Sequence, residues 1–496
     1  MKQGSPIKNT SPIATRSPIS NLRPGPDQVL LDIADYVLDY RVASDGTVAT
    51  ARLCLTDALA GALDALDFPE CTRLLGPLVP GTVVPHGARV PGTRYELDPS
   101  TAAFSFGCMI RWLDFNDQFS GKQGSHPSDT LAGILMLADH LSRQRQANGR
   151  APLLMREVLD DLIKAYEIQG GVALDNDLEA GGVDHNLLTR VATTAVLARM
   201  LGATRDQVVN AVSNAWMDCS PVLYRHAPNT GWRKSWACAD ASSEAVRLAM
   251  MALKGEMGYP SVLTAQFFGL YDARFSGRAF VFQRPYGEYI IQHSTFKFVP
   301  AGAHGQSAVE CAFRLHPLVK DRIEDIERID LYTHAYLLDV MHKTGPLYNP
   351  ADRDHSVQYC TAVGLLHGKL EPRDFEDDFA ADPRIDRLRG KMVLTEDARY
   401  SREFFDPSVR SSANAMQVRF KDGSSTPKIE VEFPVGHQRR RAEAAPVLRT
   451  KFEASLHRRF SAQQQKRILE VCDAPQVLDR MPVNEFVDLF VADLPR

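Results

Sequence analysis

Four stretches of the chain gather residues able to move protons or hold anions, each set among apolar or turn-forming neighbours rather than in a charged surface run. The first begins Arg111-Trp-Leu-Asp-Phe-Asn-Asp117 and continues to Gly124-Ser-His-Pro-Ser-Asp129, bringing Arg111, Asp114 and His126 close to the start of a helix. Ser128 and Asp129 are equally suited to capping that helix. The second is Val183-Asp-His185, where a carboxylate beside His185 could orient the ring and raise its basicity. In the third, Tyr224 to Trp236, the cations Arg225, Arg233 and Lys234 and the imidazole of His226 alternate with aromatic and turn residues, which suits an anion pocket. Arginine offers a planar fork to a carboxylate and lysine a compact charge. The fourth, Phe296 to His304, places Lys297 and His304 where the character of the chain changes, and a domain junction is a usual place for a pocket.

The elements that must position these groups are mostly helical. Val29, Leu30, Ile33, Tyr36 and Val37 recur at helical spacing, as do apolar residues through 47–66, 130–143, 153–170, 186–201 and 240–254. Thr204 and Gln207 form a capping box that opens a further helix. Near residue 290 the pattern changes. Ile329 and Leu331 suggest a strand, and Met416, Val418 and Phe420, then Asp422-Gly423, then Ile429, Val431 and Phe433 spell a β-hairpin. Helical spacing returns over 456–490. The simplest arrangement is mainly α with an α+β second domain: a helical domain over 27–292, an α+β lid over 293–436, and C-terminal helices over 437–496 that rejoin the first domain.

Composition removes several classes of function. With 496 residues and 44% hydrophobic content the chain can bury a large core, and its net charge of -4 offers no cationic field to nucleic acid. Arg439-Arg-Arg441 reads as a solvated edge or a subunit contact. No apolar run is long enough for a membrane span, and no glycine-rich phosphate loop is present. The eight cysteines are scattered without a Cys-x-x-Cys pair, which points to a reducing compartment and to chemistry without a cysteine-held cluster. Residues 1–26 are basic but broken by three Ser-Pro pairs, so they read as a disordered tail rather than an organellar presequence. A cytoplasmic location is expected, with a mitochondrial one as the alternative.

Read together, the four stretches resemble the MmgE/PrpD family, and most closely its 2-methylcitrate dehydratases. The likeness extends from about residue 25 onward and includes the strings at 74–85, 255–261, 282–287, Asn349 to His355 and 481–485. The resemblance implies a homodimer with its site between a helical domain and a smaller lid. It also implies cofactor-free and metal-free dehydration of a tricarboxylate, with Asp114, His126, His185, Lys234, Lys297 and Tyr359 in the pocket. Asp114, His126 and His185 are the expected catalytic residues. Arg111, Arg225, Lys234, Lys297, His304 and Tyr359 are the expected substrate contacts.

The sequence departs from the family pattern where the pocket is expected. Gln118 stands where threonine is usual, Ser120 to Ser125 replaces a segment carrying Glu and Trp, and Pro300 to His304 lacks the usual Glu and Phe. Lost bulk at these positions tilts the expected substrate from 2-methylcitrate toward a longer 2-alkylcitrate of the kind dehydrated in fungal polyketide and maleidride pathways. A decarboxylase acting on cis-aconitate and an inactive binding relative are the alternatives.

Overall fold

Helix starts in the first half are set by local chemistry. Ser44 caps Asp45–Ala65 by accepting from the Thr47 amide, and Asp98 caps Pro99–Arg111, whose Pro99 occupies the first turn where no amide donor is needed. The capping box read at Thr204 and Gln207 is present at the head of Arg205–Ala215. The computed structural model describes residues 21–491, so the expected N-terminal tail lies largely outside the described residues.

Pro99–Arg111, Leu131–Ala147, Asn186–Met200 and Ala237–Leu253 are the central helices of the first body, which is wholly helical apart from two-residue strand pairs. Small residues let them approach closely. A Cβ on Gly107 would lie 2.8 Å from Ala239, so only glycine lets the helix that ends at Arg111 sit this near Ala237–Leu253. The core formed here runs in sequence from Leu30 to Phe296 and takes up Leu448, Phe452, Leu456, Phe486 and Phe490 as well. The helix Arg441–Arg459 therefore packs on Asp45–Ala65 in the first body.

The second, smaller body is α+β. Its sheet has the spatial order Met392–Glu396, Ile326–Thr333, Asn414–Phe420, Ile429–Val431, with the first pair parallel and the others antiparallel. Met416 pairs with Ile429 across the hairpin read from the alternation, and Gly423 takes the positive φ of its turn. Gln306–Val319 and Val357–His367 pack against each other, and with the sheet they close a separate core around Val309, Ile329, Val363 and Met416. The protein is thus mainly helical, with a large helical domain and a smaller α+β one.

The arginine triplet does more than face solvent. Arg440 pairs with Glu310, while Arg441 donates to the carbonyls of Gln292 and Ser294, so both tie the returning chain to the junction of the two bodies. Arg439 stays exposed, over the Phe433 ring. All eight cysteines are free thiols. Among the described residues no helix is long and apolar enough to cross a membrane.

Candidate active site

The end of Pro99–Arg111 delivers Arg111 into the core, and the chain then turns sharply through Asp114, a non-glycine residue at φ +48°. That turn points the Asp114 carboxylate into a cluster of cations. Arg111 hydrogen-bonds Asp114, and Lys297 Nζ donates to Asp114 Oδ1 at 2.7 Å and to its carbonyl at 2.8 Å. Lys234 Nζ lies 3.8 Å from Asp114 Oδ2 and is held at 2.6 and 2.7 Å by the carboxylate of Asp354. Asp114, Lys234 and Lys297 are each about 1% exposed, so the charges balance one another almost without water.

Two histidines stand beside this cluster. His126 and His185 have ring centroids 5.6 Å apart, and His126 Nε2 is 4.0 Å from Asp114 Oδ1. The other nitrogen of His126, Nδ1, lies 2.8 Å from the carbonyl of Asp117. A carbonyl only accepts, so Nδ1 carries the proton and Nε2 keeps its lone pair. Burial, then the charges of Arg111 and Lys297, push the His126 imidazolium well below the usual histidine range. Burial and Arg225 bring His185 down to about 3, and burial brings His304 to about 3. These rings are therefore neutral at neutral pH. His185 Nε2 is buried without a hydrogen-bond partner in the protein.

Arg225 is paired with Asp184, the residue before His185. Burial alone would raise the Asp184 carboxyl, but Arg225 and His185 outweigh it and hold it below the usual range. The pair fixes the loop at 224–236 to the head of Asn186–Met200, which places His185.

These groups surround a cavity of about 70 Å³ lying between the two bodies. Arg111, Asp114, His126, His185, Arg225 and His304 all line it, so six of the nine residues expected at the site converge on one space. Lys234 and Lys297 lie one layer back, each bonded to a carboxylate. Tyr359 does not reach the cavity: its hydroxyl donates to the Asp374 carbonyl at 2.5 Å, and its ring is buried in the core of the second body. Ser128 and Asp129 do not cap the helix that follows them; both accept from Asn116 Nδ2 at 2.9 Å and so brace the Asp114 turn.

Asp354 and His355 were not among the expected site residues. His355 lines the cavity, with Nδ1 2.6 Å from Asp354 Oδ1 and 3.0 Å from Lys234 Nζ, and burial followed by Lys234 depresses its pKa strongly. The signal that could have found them is the one that marked Asp184-His185, an acid directly before a histidine, here inside the string Asn349 to His355.

Two triads bring potential metal-ligating atoms together, Asp114/Asp354/His355 and Asp129/His185/Cys238. Ammonium and guanidinium groups already occupy both. Lys234 and Lys297 hold the carboxylates of the first, while Arg111 Nε is 3.9 Å from Asp129 Oδ2 and Arg225 Nη2 is 3.8 Å from Cys238 Sγ in the second. A cation added to either would meet like charge, so the donor sets fit an anion's surroundings better than a metal's.

Residues 31–283 match the MmgE/PrpD N-terminal domain and residues 299–474 the MmgE/PrpD C-terminal domain. The chain is 52% identical to 2-methylcitrate dehydratase of Salmonella typhimurium over 95% of its own length and 99% of that protein. It is 45% identical to the mitochondrial 2-methylcitrate dehydratase of Yarrowia lipolytica, over 95% of this chain and 91% of the relative. A third relative, the 2-methylcitrate dehydratase-like protein oryR of Aspergillus oryzae, is 39% identical over 94% of this chain and 96% of its own.

Proposed function

From the premise that this chain belongs to the MmgE/PrpD family, we propose that it is a hydro-lyase that dehydrates a 2-alkylcitrate, with 2-methylcitrate as its substrate, to the corresponding 2-alkyl-cis-aconitate. The observation that carries this reading is the convergence of neutral His126 and His185 with Arg111 and Arg225 on one cavity. Near end-to-end likeness to named 2-methylcitrate dehydratases supports it.

The chemistry follows from the substrate's charge. Three carboxylates need cationic partners, which Arg111 and Arg225 offer at the cavity and Lys234 and Lys297 reinforce from behind it. The base takes a proton from the alkyl-bearing carbon next to a carboxylate, the electron pair of that C–H bond becomes the new C=C bond, and the tertiary hydroxyl departs with a second proton as water. The lone pair on His126 Nε2 suits it to be the base. A bound trianion favours protonated imidazole nearby, which suits His185 to be the acid that accompanies the hydroxyl. The Asp117 carbonyl orients His126, while Asp114 balances the cations and lies 4.0 Å from Nε2, where it favours the imidazolium formed when the ring takes the proton. Preorganised charges of this kind stabilise a developing carbanion by about 3 kcal/mol each.

A second reading, a longer alkyl chain on the same citrate core, is favoured by one observation: Gly302 and Ala303, where the family pattern has Glu and Phe, both line the cavity, as does Gln118. The test is to mix chelator-treated protein with 2-methylcitrate and with a hexyl-bearing citrate, following alkene absorbance and product mass. Loss of water from either supports a hydro-lyase, and the faster substrate decides between the two readings. Release of carbon dioxide from cis-aconitate would instead make the protein a decarboxylase, and silence with all three a binding relative. Activity is expected to survive the chelator unchanged, since the carboxylates that could take a metal already face lysine or arginine.

The site's charge also sets an alkaline limit. Burial lowers Lys234 to about 8. A lysine loses its charge as pH rises through its pKa, so above about pH 8 Asp354 and Asp114 lose a balancing cation and repel the substrate. We expect kcat/KM to fall above that pH, and Lys234→Arg to move the fall to higher pH because arginine keeps its proton. An alkaline limb unchanged in that variant would remove Lys234 from the account.

A further inference from the structure

The cavity has two chemically different walls. The helical body contributes Arg111, Asp114, His126, His185 and Arg225, all polar. The α+β body contributes Gly302, Ala303, Tyr336, Val340 and Met341, a mainly apolar set, together with the neutral imidazoles of His304 and His355. A 2-alkylcitrate is divided in the same way, into a trianionic core and one hydrocarbon branch.

Two short elements form the apolar wall. The helix Ala335–Met341, capped by the His334 side chain, carries Tyr336, Val340 and Met341. The turn at 302–305 lies directly beneath it. A Cβ on Gly302 would come 2.8 Å from Met341 Cε and 2.9 Å from Sδ, and one on Gly305 would come 3.0 Å from Cε. The thioether of Met341 thus fills space that two absent side chains leave free. Methionine is unbranched and adapts its shape, so its position depends on what stands at 302. Gly302 itself has φ -50° and ψ 136°, a conformation open to any residue, so the need for glycine here comes from space and not from the backbone.

We propose that Val340, Met341 and Gly302 form the seat of the substrate's alkyl branch and set which chain lengths the enzyme accepts. This rests on the alkylcitrate reading above and adds to it the residues that select the substrate. A hydrocarbon branch laid against Val340 and Met341 leaves water, and each methylene so covered is worth about fourfold in kcat/KM. Bulk added at 340, or a methyl at 302 that pushes Met341 aside, shortens the seat.

The experiment is a chain-length series of methyl, ethyl, butyl and hexyl citrates with the wild-type protein and the variants Val340→Phe, Val340→Ala and Gly302→Ala. Val340 is half-buried at the edge of the second body's core, so it is varied in place of Met341, which is fully buried there. The ratio of kcat/KM for hexyl over methyl is expected to fall about tenfold in Val340→Phe and Gly302→Ala, and to rise about fourfold in Val340→Ala. If absolute rates change while that ratio stays within about twofold of wild type in Val340→Ala and Gly302→Ala, the branch lies elsewhere and the proposal is overturned. Should wild-type protein dehydrate none of the series, the alkylcitrate reading itself fails, and the seat falls with it.

Discussion

Asp114→Asn is expected to collapse kcat while leaving KM unchanged or lower. Asparagine tolerates the positive φ of this turn, so the substitution removes one charge and leaves the backbone free to keep its path. What it removes is the carboxylate that Arg111 and Lys297 bond to directly, with Lys234 3.8 Å away. The site becomes more positive, which favours a trianion and keeps KM from rising. Yet His126 loses the negative charge 4.0 Å from Nε2, and Lys297 is left with neutral acceptors only, the amide oxygen and the backbone carbonyl of residue 114. We expect kcat to fall on the order of a hundredfold. Stability should fall with it. Leaving buried Lys297 and Arg111 short of a counter-charge costs about 3–5 kcal/mol, measurable as a lower denaturation midpoint in urea. Unchanged stability would mean that Asp354 and Asp129 suffice to balance the cluster.

His126→Gln and His185→Gln are each expected to lower kcat by about a thousandfold while the protein stays folded. Glutamine keeps a polar group of similar reach but cannot take up a proton. Because the base and the acid serve one elimination, the double variant should be little slower than the worse single one. A double variant with losses that multiply in full would show the two rings acting in separate steps. If His126→Gln retains most of its rate, the base is elsewhere, and His355 becomes the first replacement, since it lines the same cavity and lies 3.6 Å from Asp114 Oδ2. Circular dichroism of each variant separates lost chemistry from lost fold.

Much of this architecture is written in local pattern. Helices such as Leu131–Ala147 and Asn186–Met200, the capping box at Thr204, and the strands around Ile329 and Met416 follow from periodicity and end signals that act over a few residues. The candidate site was legible in a different way, as short polar stretches in apolar surroundings, and six of its expected residues do meet at one cavity. Tyr359 was misplaced because the phenol finds a nearer acceptor in the Asp374 carbonyl, fifteen residues on. Asp354 and His355 were passed over because their partner, Lys234, lies 120 residues away in sequence. No spacing rule reaches that far.

By itself, then, the sequence determined the main helices of the first body, the strands around Ile329, Met416 and Ile429, and that the second body is α+β, because those properties depend on neighbours along the chain, whereas the strand Met392–Glu396 and the helices Gln306–Val319 and Val357–His367 came only with the structure. Only the tertiary structure decided that Asp114 is the common partner of two lysines and an arginine, that the Asp117 carbonyl fixes the proton of His126 on Nδ1 and leaves the lone pair on Nε2, and that Gly302 lies beneath Met341. Charge balance, tautomer and cavity shape are set by groups that packing brings within a few ångströms, and their separation along the chain carries no trace of that distance.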